Sequence, residues 1–208
     1  MKIALIGTGF VGSAVLEELL ARGHRVTVLA RHPDKLEPRE GLSVVTADAQ
    51  DAARVAAAVR GHDAVISAYN PGWTVPDLHD QFLAGSLAIL EGVRASGVTR
   101  VLVVGGAGSL FVAPGVQLVD TPEFPAEWKQ GALAARELLT RMRQDQQLEW
   151  TFLSPAIMLE PGPRTGRYRR GTEWPLMNGD QPGRISVADL AVALVDELEA
   201  PQHVRARF

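Results

Sequence analysis

Apolar residues along this chain fall into two alternating patterns, short unbroken runs and longer stretches in which they return every three or four positions. The first pattern predicts buried strands and the second amphipathic helices. Ile3 to Ile6 is the opening run, and Val11, Val15, Leu16, Leu19 and Leu20 follow at helical spacing until Gly23 closes the helix. Arg25 to Ala30 and Leu42 to Thr46 read as strands, Asp51 to Val59 as an alanine-rich helix, and Asp63 to Ala68 as a fourth strand. Leu78 to Ser96 has the length of a crossover helix. Arg100 to Val104 is continuously apolar, which suits a central parallel strand covered on both faces. A proline-rich connection over residues 105–128 leads to a helix from Lys129 to Arg143 and a sixth strand from Glu149 to Ser154. Beyond Pro155 the pattern loosens, with strand-like pieces expected around Tyr168 and Trp174, a helix from Val187 to Leu198 and a terminal strand from His203 to Phe208. Strands alternating with helices predict a single-domain α/β fold, a doubly wound parallel sheet of the Rossmann type over 1–208. A small C-terminal elaboration on the substrate side is expected mainly over 155–183.

The first strand ends in Gly7-Thr8-Gly9-Phe10-Val11-Gly12. A G-x-G-x-x-G set carries weight only between a strand and a helix, and here it has that context. Gly7 suits the tight turn, Gly9 lets backbone approach a diphosphate and Gly12 lets helix and strand pack closely, with the phosphates on the helix N-terminus. Thr8, Phe10 and Val11 complete the expected dinucleotide contact. Where the second strand ends, a ribose-binding carboxylate is usual, but the chain reads Ala30-Arg31-His32. A cation there favours NADP(H) over NAD(H), although Asp34 a few residues on can restore NAD binding or cap a turn. Asp48, after the third strand, either borders the adenine or caps the next helix. Ligands of such sheets bind at the carboxyl ends of the strands, so Ala68 and Gly105 are further coenzyme-facing positions.

Composition narrows the partners. The net charge is −3, from 21 basic and 24 acidic residues, so no overall positive field exists to hold nucleic acid or an anionic membrane. A small molecule is the expected partner. With no cysteine, thiolate metal sites and cysteine nucleophiles are excluded, and the scattered histidines suggest no metal site. Met1-Lys2-Ile3 enters a strand without a signal-peptide pattern, and no run is long enough to span a bilayer, so a cytoplasmic protein is expected.

The fingerprint, Ala30-Arg31, Gly105-Gly106-Ala107-Gly108-Ser109, Trp150 to Ala156, Pro161 to Gly166 and Ile185 to Ala191 together resemble the atypical short-chain dehydrogenase/reductases. The similarity is to the NAD(P)H-binding, NADH-flavin reductase type, related to biliverdin/flavin reductases and NmrA-like proteins. It covers nearly the whole chain and implies a Rossmann domain that binds NADP(H) or NAD(H), with Pro155 beside the nicotinamide. The alcohol-oxidising relay of a tyrosine followed four residues later by lysine is missing. The two tyrosines, Tyr69 and Tyr168, are followed at that spacing by Trp73 and Thr172, and where the resemblance leads one to look for the tyrosine stands Glu127-Trp128-Lys129. A flavin or quinone acceptor asks for no such relay, because its conjugated ring spreads the charge it receives and solvent can supply the proton. Ser109 and Asn70 are then candidate polar groups near the reacting ring, and Lys129 a candidate to neutralise an anionic acceptor. Trp73, Trp128 and Trp174 either stack such a ring or pin loops. Arg164, Arg167, Arg169 and Arg170 either receive a phosphate or line a solvated hairpin. The reading is an NADPH-dependent reductase of a flat conjugated acceptor, flavin or quinone. The alternative is a non-catalytic NADP(H)-binding redox sensor that signals through a protein partner.

Overall fold

The computed structural model describes residues 1–31 and 36–208. In chain order the elements are β1 (Lys2–Ile6), α1 (Phe10–Ala21), β2 (Arg25–Ala30), β3 (Leu42–Thr46), α2 (Ala52–Val59), β4 (Ala64–Ser67), α3 (Leu78–Ser96) and β5 (Arg100–Val104). A hairpin of β6 (Phe111–Ala113) and β7 (Val116–Gln117) precedes α4 (Ala126–Met142) and β8 (Glu149–Leu153). Then come β9 (Met158–Glu160), β10 (Met177–Asn178), β11 (Gln181–Pro182), β12 (Arg184–Ser186), α5 (Val187–Glu199) and β13 (Ala206–Arg207).

Seven strands form one parallel sheet in the order β13, β8, β5, β4, β1, β2, β3. The chain builds outward from β1 through β2 to β3, then crosses back to place β4 on the other side of β1. Strand order therefore reverses between β1 and β4, and a crevice opens above their carboxyl ends.

Alternation along each strand assigns the two faces. Ala4 and Ile6 of β1, with Val101, Val103 and Phe152, turn toward Val55, Phe82, Ile89 and Leu138 of α2, α3 and α4. Ile3, Leu5, Leu102 and Leu153 turn the other way, against Val15 and Leu19 of α1 and Leu190 and Leu194 of α5. Each large side chain so buried contributes about 1.5–3 kcal/mol relative to exposure. Two separate layers on one sheet fix the doubly wound architecture.

Two expectations need correcting. Helix α4 begins at Ala126, because Pro125 supplies an extended residue at its N-cap and the next three residues already belong to the first turn. Within the proline-rich connection over 105–128, Pro114-Gly115 turns the β6–β7 hairpin, with Gly115 at φ +74°. Tyr168 and Trp174 lie in no strand; the short strands of this region flank them. No helix among the described residues is long and apolar enough to cross a membrane.

Candidate active site

At the end of β1, Gly7 takes φ +93°, and a Cβ there would stand 2.5 Å from the carbonyl oxygen of Ala68, the residue after β4. A Cβ on Gly12 would lie 1.9 Å from the Gly7 carbonyl oxygen, so only glycine lets α1 sit down on the turn. Gly9 differs. Nothing lies within 4 Å of a Cβ built on it, so protein packing does not explain its missing side chain. As the N-cap of α1 it has no side chain to bond the first-turn amides, and Ser13 Oγ turns instead to the Thr8 carbonyl at 2.8 Å. Orphan amides at the positive end of a helix, under an open glycine, fit a diphosphate. Phe10 is exposed at the helix start and Val11 packs partly into the core layer beneath.

Beside this turn, Arg31 projects exposed from the end of β2, with no carboxylate in ion-pair reach among the described residues. Asp34 and His32 lie outside the described residues. Asp48 is exposed, and its Oδ1 accepts from the Gln50 amide at 3.0 Å. It does not cap α2; Asp51 does, accepting from the Arg54 amide at 3.0 Å.

Above β4 and β5 the floor is bare backbone. The Ala68 amide donates to the Ile6 carbonyl, and the Gly105 amide donates to that of Leu153. The Phe152 ring fills the place of a Gly105 side chain, since a Cβ would meet its Cζ at 1.9 Å. Pro155 follows β8 and is buried. Asn70 is exposed, but its Oδ1 accepts from the Gly72 amide at 2.8 Å and so shapes its own loop. Trp73 lays its ring against Gly131 of α4, close to exposed Trp128 and Lys129 in the first turn of that helix.

Ser109 is placed differently from the expectation of a group facing the reacting ring. It is 2% exposed, and its Oγ accepts from Arg207 Nη1 at 2.9 Å. Arg207 also donates to Glu173, so Ser109 belongs to a buried anchor for β13. Nor do the four arginines of the 164–170 stretch converge. Arg164 pairs with Glu18 of α1 at 2.6 Å, Arg169 donates to the Met177 carbonyl and Asn178, and Arg170 to Gln202. Neither tyrosine is a proton relay. Tyr69 lies over Gly85, and burial with the Asp196 carboxylate pushes the Tyr168 phenol up to about 12.

Carboxylates of α1 and α5 hold the 160–186 segment down, a network whose members are too far apart in sequence to be paired by inspection. Arg164, donating to Glu18, outweighs burial and holds that carboxyl below its ordinary value, with Arg22 assisting. Burial raises Asp189, but donors from Thr165, Gly166 and Ser186 prevail and lower it. Asp196 is likewise raised by burial and lowered further by Tyr168 and Arg22. A carboxyl depressed in the folded state stabilises above its unfolded pKa, and that contribution disappears as pH falls through the folded value. The segment is therefore expected to loosen below about pH 4, seen as a change in Trp174 fluorescence ahead of global unfolding. Asp189→Asn should shift that early change toward neutral pH; coincidence of the two transitions in both proteins would refute the assignment.

A family model for NAD(P)H-binding proteins matches residues 7–198, from the first fingerprint glycine into the last turn of α5. The chain belongs to this NAD(P)H-binding family. Among its similar proteins, the uncharacterized protein YwnB of Bacillus subtilis (strain 168) is 38% identical over 212 residues, which span 100% of this chain and 97% of that one. A Bacteroides thetaiotaomicron structure provisionally assigned as an epimerase is 44% identical, with a TM-score of 0.92 over 99% of this chain and 94% of its own. A Streptococcus pneumoniae structure provisionally assigned as an NADH-flavin reductase is 35% identical, with a TM-score of 0.83 over 100% of this chain and 97% of its own. Lacking the tyrosine and lysine relay, the chain is an atypical short-chain member of the NAD(P)H-binding family and an NAD(P)H-dependent oxidoreductase by type.

Proposed function

We propose that the protein is an NADPH-dependent reductase of a flat conjugated acceptor, a flavin or quinone. The observation that carries this reading is the floor of the cleft, where the Ala68 and Gly105 amides are tied to the Ile6 and Leu153 carbonyls beside Pro155, in a chain with no lysine four residues after either tyrosine. Epimerisation through a transiently oxidised alcohol needs a base at that point. The tyrosines that could serve are the neutral donor Tyr168 and Tyr69 over Gly85. A conjugated acceptor takes its proton from solvent, and the protein then supplies orientation. The name given to the pneumococcal relative agrees with that chemistry.

In this reading the amides of Phe10, Val11 and Gly12 hold the diphosphate, Arg31 holds the ribose phosphate, and Asp48 borders the adenine. Ala68, Gly105 and Pro155 flank the nicotinamide, whose bound, reduced form is the hydride source. Lys129 and Asn70 stand on the rim. The protein mixed with NADPH and a panel of flavins and quinones is expected to show acceptor-dependent loss of nicotinamide absorbance. Retained coenzyme binding with no oxidation across the panel would overturn the reading and favour a redox sensor. Arg31→Ala is expected to weaken NADPH binding by about 10-fold or more while changing NADH binding little, the worth of a charge-assisted contact. Equal losses for both would remove the phosphate assignment.

A further inference from the structure

A recess of about 370 Å³ opens at the amino-terminal end of the sheet, the end away from the cleft, where β1, β2 and β3 begin and the turn after α2 comes back. Strand β1 runs 5 residues from Lys2 to Ile6, so at about 3.3 Å per residue the recess lies roughly 16 Å from the diphosphate turn. Lys2 and Arg25 are partners in register on adjacent parallel strands, and Thr27 is the partner of Ser43. Alternation along the strands places all four with Ala4 and Leu29, on the face covered by α2. That helix ends at Val59, and Arg60, Gly61 and His62 turn the chain back past the strand starts.

The charge of this lining is one-sided. Lys2, Arg25 and Arg60 contribute three cations to it, and no acidic residue contributes a carboxylate. All three are exposed and have no ion-pair partner among the described residues. Elsewhere in the fold Arg22, Arg39, Arg94, Arg136 and Arg141 each meet a carboxylate, so unpaired cations gathered in one hollow are not the habit of this chain. Asp63, just past the turn, gives its Oδ2 to the Lys2 backbone amide at 2.7 Å, and exposed Glu40 stands outside the lining. His62 is engaged at both ring nitrogens, Nδ1 with the Val59 carbonyl at 3.0 Å and Nε2 with the Thr27 hydroxyl at 2.8 Å, and so pins the turn to β2. Lys2 and Arg25 stand side by side on strands about 4.8 Å apart, where like charges repel. An anion seated among the three cations would relieve that repulsion.

We propose that this recess binds a compact polyanion, a chain of two or more linked phosphate groups. Three cations call for more than one such group, since a single phosphate carries about two charges near neutral pH. The guanidinium forks of Arg25 and Arg60 take phosphate oxygens in pairs, and Lys2 adds a point charge. A flat organic body finds little here, because the apolar side chains of the lining are Val26 and Leu42 alone and Val26 is 1% exposed. A bounded hollow in a chain of net charge −3 suits a small ligand, whereas a nucleic acid or a membrane needs basic surface that continues past the rim. The chemistry of this site does not depend on the reductase reading.

Because the coenzyme turn also receives a diphosphate, the test fills the cleft first. With the protein saturated in oxidised coenzyme at low ionic strength, calorimetry is expected to show inorganic pyrophosphate binding about 10-fold tighter than orthophosphate, the worth of one further charge-assisted contact. Arg25→Gln combined with Arg60→Gln should weaken pyrophosphate by at least about 10-fold and leave coenzyme affinity unchanged. Both side chains are exposed and unpaired, so without ligand this double variant should unfold at the wild-type temperature. Pyrophosphate should raise the unfolding temperature of the wild type and not that of the double variant. Lys2→Gln, which removes the point charge from the same hollow, should weaken binding by a smaller factor. Arg136→Gln combined with Arg141→Gln takes the same charge from α4 and should leave pyrophosphate affinity as it was. Adenosine 5′-diphosphate carries the same group on a nucleoside and is expected to bind no more tightly than pyrophosphate. Absence of pyrophosphate binding, binding that survives loss of Arg25 and Arg60, or equal losses in the two double variants would overturn the site. A tenfold preference for the nucleoside diphosphate would overturn its assignment to a bare phosphate chain.

Discussion

Gly12→Ala is expected to lower the unfolding temperature by several degrees and to abolish measurable dinucleotide binding, while Gly9→Val unfolds like the wild type yet binds at least about 10-fold more weakly. The two glycines stand three residues apart in one motif, and the structure gives them opposite reasons for being bare. A methyl on Gly12 would be 1.9 Å from the Gly7 carbonyl oxygen, a backbone atom that cannot swing away. Relief requires α1 to lift off the turn, and overpacking of this kind costs about 1–3 kcal/mol or more. At about 2–4 °C per kcal/mol for a chain of this size, that is a visible shift. The lifted helix also carries its amides away from the diphosphate position. At Gly9 a side chain meets only open space within the protein, so its cost arises when a ligand occupies that space. Calorimetry with NADPH and thermal unfolding read the two effects separately. Wild-type affinity in Gly9→Val would mean that the diphosphate lies elsewhere.

The second large effect is expected far from the cleft. Glu197→Ala should destabilise by about 3–5 kcal/mol, since it strands a buried cation, and the unfolding temperature should fall by about 6–20 °C. Glu197 is 2% exposed and holds the C-terminal turn together. Its Oε1 accepts from the amides of Gln202 and His203 and from Arg100 Nη2, and its Oε2 meets the His203 ring at 2.8 Å. Arg100 is itself buried at the start of β5, where desolvation draws its guanidinium below the ordinary value despite the nearby carboxylate. Glu197→Gln keeps an acceptor for the amides and should be milder. Glu199→Ala removes a surface partner of Arg22 and His24 and should cost about 1 kcal/mol or less. Equal losses for Glu197→Ala and Glu199→Ala in denaturant unfolding would show that the buried pair is not what holds this end.

Elements whose signal is local were legible in the sequence. Periodicity alone placed α1, α3 and α5 and the strands β1 to β5, and the glycine spacing placed the turn between β1 and α1. Readings that depend on partners distant along the chain were not. Ser109, after a glycine-rich strand end, has the local marks of an active-site hydroxyl, but it lies 98 residues from the arginine that claims it. Arg164 reads as part of a basic cluster until Glu18, 146 residues earlier, is seen beneath it. Tyr168 and Trp174 suggested strands through β-propensity, yet their neighbours bond to α5 and to short flanking hairpins, and tertiary context overrides a weak local preference.

The clasp between Arg164 and Glu18 has a kinetic consequence. It fastens the covering segment to the same helix whose first turn faces the nucleotide, and Thr165 and Gly166 fasten it again to α5 one residue later. Roof and floor are thereby joined on both sides. At neutral pH the covering segment is therefore expected to exchange its amide hydrogens together with α1 and α5 rather than ahead of them.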